Sequence, residues 1–169
     1  MSAGQLATQK AWVERDLANV DRSVTPWVVA FSHKAFQMDS TTWSLFDFVP
    51  EGKVDAWFVG HWHQYTRYPP IDSRNGTMKV DMASVSADKS TYTNPKYPVL
   101  IVTGAPGDGE VNPRTCTEEN QIYCSGNYGY GKLQVMNATH MHWVWNTTVP
   151  VAGSPEPKFS DDLWIVKTQ

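Results

Sequence analysis

Excess charge of either sign is lacking in this sequence, and cysteine is scarce. The 169 residues carry 14 Lys and Arg against 17 Asp and Glu, a formal net charge of −3. No basic patch or stripe stands out, which argues against a nucleic-acid partner. No apolar stretch approaches the roughly 20 residues that cross a bilayer as a helix. The opening Met1-Ser2-Ala3-Gly4-Gln5-Leu6-Ala7 has neither the charged nor the apolar region of a signal peptide. Internal repeats and low-complexity linkers are also absent. What remains is an ordinary globular composition, 41% apolar, in a chain long enough to bury a full core.

The most informative segment is Asp55-Ala56-Trp57-Phe58-Val59-Gly60-His61-Trp62-His63-Gln64-Tyr65-Thr66-Arg67. An apolar run meets a glycine and then two histidines one residue apart, the pattern of a strand ending in a metal-binding loop. Imidazole is a common ligand for zinc, iron and manganese, and the glycine lets the backbone turn sharply beside the metal. Taken alone, His-x-His is equally compatible with two surface histidines.

A second run, Pro26-Trp27-Val28-Val29-Ala30-Phe31-Ser32-His33, repeats the design. Both read as buried strands that deliver a histidine from the carboxyl end, where open α/β sheets place their ligands. Between them, Ser40 to Val49 combines an N-cap residue with apolar positions at 43, 45, 46, 48 and 49, which predicts a short helix.

With His33, the Gly60-His61-Trp62-His63 block, Tyr65, Arg67 and the later Pro98-Val99-Leu100-Ile101-Val102-Thr103-Gly104, the chain resembles the second half of a purple acid phosphatase, within the calcineurin-like metallophosphoesterases. Trp12 to Leu17 and Asp162 to Val166 are similar to segments of that family as well. The resemblance implies a metal-dependent acid phosphatase cleaving phosphomonoesters, with a ferric ion beside a second iron (Fe(II)), zinc or manganese. It assigns His33 and His61 to the divalent metal and His63 to the ferric ion, and makes Tyr65 and Arg67 substrate-side candidates.

The family's earlier blocks, of the forms D-x-G, G-D-x-x-Y and G-N-H-[DE], have no counterpart here. Gly107-Asp108-Gly109-Glu110 lacks the required tyrosine, since position 111 is Val, and reads as a turn. An upstream segment or a companion polypeptide is therefore expected to supply the missing aspartates, tyrosine and asparagine. The alternatives are a non-catalytic fragment acting as a binding or structural module, and a metallophosphoesterase acting on nucleotides or phosphodiesters.

Cys116 and Cys124 flank a polar loop, Thr117 to Tyr123, whose length suits a disulfide. Closing it would contribute roughly 2–3 kcal/mol on the chain-entropy model. A zinc role is disfavoured by the spacing and by the lack of a nearby histidine. Three Asn-x-Ser/Thr sequons, at Asn75, Asn137 and Asn146, point with the disulfide to a secreted protein or a lysosome- or vacuole-like compartment.

The remaining patterning predicts an amphipathic helix over 8–22 with Trp12, Val13, Leu17 and Val20 on one side. Strands are predicted near 27–32, 55–60, 77–82, 99–104, 130–136, 140–145 and 163–167, with turns elsewhere. The glycines of Gly126 to Gly131 read as backbone turns opening a hairpin, because no helix follows to hold a phosphate. His140 and His142 share one strand face and read as structural. The eight tryptophans interleave with Val and Ile and read as core. The expected fold is α/β, the second half of an α/β/β/α metallophosphoesterase sandwich. Residues 1–67 form its metal-ligand half and residues 68–169 a β-rich carboxyl-terminal segment.

Overall fold

Strict alternation along Ser160–Val166 sets the inner face of one sheet, with Asp161, Leu163 and Ile165 buried and their neighbours turned outward. The structure, a computed structural model, describes residues 3–34, 49, 51–74, 77–105, 120–149 and 160–168. Among these are one α-helix, a short 3-10 helix (Met82–Ser84) and ten strands: α1 (Ala3–Ala18), β1 (Val29–Ser32), β2 (Ala56–Val59), β3 (Tyr65–Asp72), β4 (Lys79–Val80), β5 (Thr91–Thr93), β6 (Val99–Thr103), β7 (Tyr123–Ser125), β8 (Tyr128–Val135), β9 (His140–Val149) and β10 (Ser160–Val166). The helix predicted over Ser40 to Val49 and the Gly107 to Glu110 turn lie outside the described residues.

The first sheet has the order β1-β2-β6-β3-β4, with β7 also paired to β3. β1, β2 and β6 run parallel, and β3 returns antiparallel to β6. The second sheet has the order β5-β10-β9-β8. Its centre is the antiparallel pairing of β9 with both β8 and β10.

The two sheets share a core. Ala56, Phe58, Tyr65, Val99 and Ile101 from the first pack with Tyr92, Met141, Trp143, Trp145, Leu163 and Ile165 from the second. The opposite face of the first sheet carries Trp57, Val59, Tyr68, Ile71, Leu100 and Val102, against which α1 lays Leu17 and Val13. Parallel strands buried on both faces read as continuous apolar runs, which is why β2 and β6 are legible in the sequence. Trp12 is the exception on α1, 54% exposed, because Val13 and Leu17 are one turn apart and Trp12 lies off their stripe. Trp27, Trp57, Trp143 and Trp145 are buried, as core packing requires.

Two expectations are corrected. The turn-rich region after Arg67 instead continues β3 as far as Asp72, fully buried. Its Pro69-Pro70 pair falls where the ladder with β6 shifts register between Arg67 and Pro70, and so costs no regular hydrogen bond. The glycines read as turns belong partly to β8: a Cβ on Gly131 would lie 1.8 Å from Cη2 of Trp143. The indole of the facing strand occupies the space a side chain would need.

At the amino-terminal edge of β1 and β2, Asp55 binds Arg22 at 2.5 Å and Lys167 at 2.8 Å and accepts the Val28 amide. Trp27 Nε1 donates to the Asn137 carbonyl in the β8–β9 turn. This end is thereby pinned across both sheets.

Candidate metal centre

β1 and β2 are parallel neighbours in register, Ser32 opposite Val59. The residues that follow them, His33 and His61, therefore leave the sheet side by side at its carboxyl edge. Their rings sit edge to face with centroids 5.1 Å apart, and His61 Nδ1 is 3.2 Å from His33 Nε2. Two imidazole nitrogens bound at about 2.0–2.1 Å to one tetrahedral ion stand roughly 3.3 Å apart. The observed spacing matches.

Backbone constraints hold this pair. The Gly60 amide donates to the His33 carbonyl at 3.0 Å, tying the two strand ends together. His61 has φ of 65°, the left-handed region. A non-glycine residue there costs energy and marks a conformation imposed by its surroundings. Part of that imposition comes from Gly104: a Cβ there would sit 2.1 Å from the Trp62 carbonyl oxygen, so only glycine lets β6's end pass under the histidine loop. The Gly104 amide donates to Gln64 O, closing the loop from the other side.

Both His33 and His61 are exposed, and His63 is half-buried. Desolvation and the charges of Lys34, His33 and His63 hold the His61 pKa below the ordinary imidazole value. That favours the neutral, ligating form. Beside the pair, a cleft of about 310 Å³ is lined by Phe31, Ser32, Phe58, Val59, Gly60 and Thr103.

The donor chemistry fits a metal only in part. Two imidazoles have the spacing of ligands, and His63 lies close enough to act on the charge of His61. Among the described residues, however, no group of three or more His, Cys, Asp or Glu converges on one point. A ferric ion would need anionic ligands from outside them.

Tyr65 and Arg67, expected on the substrate side, are placed elsewhere. They point from β3 into the interior between the sheets, with exposures of 0% and 3%. Arg67 donates from Nε to Asp161 Oδ2 at 2.6 Å and from Nη2 to Asp161 Oδ1 at 2.7 Å. Tyr65 donates to Asp161 Oδ2 at 2.5 Å and accepts from Trp143 Nε1 at 3.0 Å. Asp161, Tyr92 and Trp143 complete a buried polar cluster that sequence reasoning missed. Its signal was present: Asp161 stands on the apolar face of an alternating strand, where an unpaired carboxylate could not remain.

His140 and His142 lie on the outer face of β9. His142 stacks on Trp164 at 4.1 Å and meets Asp162 at 3.0 Å, a structural arrangement. Cys124 on β7 is buried and is not a free thiol. Cys116, like Asn75, lies outside the described residues.

Residues 97–150 match the family described as "Iron/zinc purple acid phosphatase-like protein C". The mouse protein "Acid phosphatase type 7" is 29% identical over 94% of this chain and 39% of its own length. "Acid phosphatase" of Aspergillus ficuum is 33% identical over 78% of this chain and 23% of its length. "Purple acid phosphatase 18" of Arabidopsis thaliana is 27% identical over 93% of this chain and 34% of its length. The purple acid phosphatase of yellow lupin seeds has the same fold over 93% of this chain and 28% of its own, with a TM-score of 0.69 and 21% identity. The chain thus spans well under half the length of these relatives. It is a relative of the purple acid phosphatases, to whose carboxyl-terminal part it corresponds in sequence and in fold.

Proposed function

We propose that the complete protein is a metal-dependent acid phosphatase that hydrolyses phosphomonoesters at a ferric ion paired with zinc, Fe(II) or manganese. Within it, residues 1–67 provide metal ligands, and residues 68–169 provide the β-rich remainder of the same catalytic domain. The observation that carries this reading is the 3.2 Å approach of His61 Nδ1 to His33 Nε2 at the carboxyl edge of adjacent parallel strands. The acid phosphatase names of the relatives support it. His33 and His61 would hold the divalent ion and His63 the ferric ion. When bound, such a pair lowers the pKa of water and offsets charge on the phosphoryl group.

The chain's own residues contribute placement. Gly60 and Gly104 fix the loop, and the lowered His61 pKa favours the form whose nitrogen can ligate. The 310 Å³ cleft beside them offers a phosphate ester an approach along the strand ends. An upstream segment would supply the carboxylates that the described residues do not bring to this edge. The same lack of carboxylates favours a second reading, in which the 169-residue chain by itself is inactive and serves as a structural module.

The test is His63→Ala in the full-length protein. Iron content and phosphomonoester hydrolysis should fall together to background. Near-normal activity would overturn the metal assignment.

The disulfide and the compartment belong to the same proposal. Cys124 pairs with Cys116, the only other cysteine. That bond and the three sequons support a secretory route, for export or for a lysosome- or vacuole-like compartment. Free thiols in the denatured, unreduced protein would contradict the pairing.

A further inference from the structure

We propose that Tyr65 is a positioning residue for His63: its hydroxyl, bound to Asp161 of the facing sheet, holds the exit of the histidine loop and so sets the direction of that imidazole. The inference rests on the metal assignment above and extends it from the ligand to the group that places it.

Residues 60–64 connect β2 to β3, and β6 lies between those two strands. Crossing one intervening strand spans roughly 10 Å, two inter-strand spacings. The six steps from Val59 to Tyr65 could reach roughly 20 Å if extended. The slack is taken up in two consecutive three-residue turns, in which Trp62 N donates to Gly60 O at 2.8 Å and Gln64 N donates to Trp62 O at 2.8 Å. His61 is the central residue of the first turn and His63 of the second. The first, with His61 at φ 65°, is the strained form of such a turn. Each candidate ligand thus stands at an apex, and its direction follows from how the two ends of the loop are held.

The entry is held by backbone, through the Gly60 amide on the His33 carbonyl at 3.0 Å. The exit is held by the Gly104 amide on Gln64 O at 3.1 Å and by the Tyr65 side chain. Tyr65 is fixed at both its ring and its hydroxyl. The ring lies on Trp145, centroids 4.5 Å apart and planes 9° from parallel. The hydroxyl donates to Asp161 Oδ2 at 2.5 Å and accepts from Trp143 Nε1 at 3.0 Å. Asp161 stands opposite Trp145 in the β9–β10 ladder, so these partners form one patch of the second sheet.

Only Gln64 separates Tyr65 from His63. It is itself buried, and its Nε2 donates to Thr66 Oγ1 at 2.7 Å. A shift at Tyr65 is therefore passed to His63 with little room for absorption. Arg67 shares the same carboxylate but lies two residues farther along β3, so its loss acts first on the pairing of the sheets.

The experiment uses the full-length protein loaded with iron and zinc. Tyr65→Phe keeps the ring and removes only the hydroxyl. Iron retention against a competing chelator should weaken on the order of 10-fold, as for other groups that orient a metal ligand, with zinc retention changed far less. Ile165→Val, buried on the same strand as Asp161, lowers the urea midpoint without removing a hydrogen bond and should leave iron retention unchanged. Equal loosening of iron and zinc, or the same iron loss in Ile165→Val, would reduce Tyr65 to a role in fold stability and overturn the proposal. In the metal-free protein, amide exchange at residues 62–64 should rise in Tyr65→Phe and not in Ile165→Val; no rise in Tyr65→Phe would contradict the anchor. His63→Ala, measured alongside, separates the two levels. Iron lost there but fully retained in Tyr65→Phe overturns the positioning role alone, and iron retained in His63→Ala overturns the metal assignment with it.

Discussion

Arg67 and Asp161, 94 residues apart in sequence, form a two-pronged ion pair between the sheets, with Nε and Nη2 each within 2.7 Å of a carboxylate oxygen. Both side chains are almost wholly buried, at 3% and 4% exposure. Burial pulls the Arg67 pKa down, but the hydrogen bonds to Asp161 and the neighbouring phenols outweigh it, and the guanidinium is held charged. Its third prong, Nη1, donates to Tyr92 OH at 2.7 Å and to Lys89 O at 2.9 Å. The pair thus joins β3, which begins just after the histidine loop, to β5 and β10 of the facing sheet.

Removing one partner should be costly. Asp161→Asn in the intact protein leaves a buried guanidinium uncompensated and is expected to destabilise by about 3–5 kcal/mol. Replacing both, as Arg67→Met with Asp161→Leu, should recover most of that loss. Urea unfolding midpoints decide it, and a single substitution costing less than ~1 kcal/mol would contradict the assigned role.

Alkaline pH should act through the same cluster. Burial raises the Tyr92 pKa to about 12, against the opposing influence of Arg67. Burial, then the Asp161 carboxylate, also pushes Tyr65 well above the ordinary phenol value. Unfolded tyrosines ionise near pH 10. The stability these neutral phenols provide is therefore complete below about pH 10 and is lost as pH rises through about 12. Tyr92→Phe should flatten part of that decline while costing about 1 kcal/mol at neutral pH. Denaturant titrations repeated across pH 9 to 12 would show an unchanged slope if the idea is wrong.

Gly104→Ala should strike the histidine loop without touching a histidine. The new methyl would sit 2.1 Å from the Trp62 carbonyl, a backbone atom that cannot swing aside. Destabilisation of about 1–3 kcal/mol is expected, together with weaker metal retention by the full-length protein. A variant as stable and as metal-loaded as the parent would show that the close approach is relaxed in solution.

The 169-residue chain alone should bind zinc at one weak site at most, through His33 and His61. Two imidazoles without a carboxylate supply too few ligands and no negative charge to hold two ions. Isothermal titration should show a single event abolished by His61→Ala. Two tight sites would require a different ligand set.

Local pattern alone determined a good deal of this protein. Apolar runs ending at His33 and at Gly60-His61 predicted two strands and the edge where their histidines meet; β2 is buried on both faces as read, whereas β1 is a half-buried edge strand that leaves Phe31 exposed. Alternation in 140–145 and 163–167 marked strands of the second sheet for a different reason, since a strand with one buried face turns every second side chain inward. Only the tertiary structure decided the rest. The family resemblance makes Tyr65 and Arg67 substrate-side candidates, yet both lie on the same face of β3 and reach inward to a carboxylate on β10, 94 residues from Arg67, a pairing no local window contains. β3 itself was hidden by Pro69-Pro70, since a proline pair breaks a strand pattern unless the ladder shifts register at that point. The glycines of β8 looked like turns until the tryptophans of β9 were seen to fill their missing side chains. Close approach between distant segments is a property of the packed chain, and a sequence read along its length carries only its residue, not its cause.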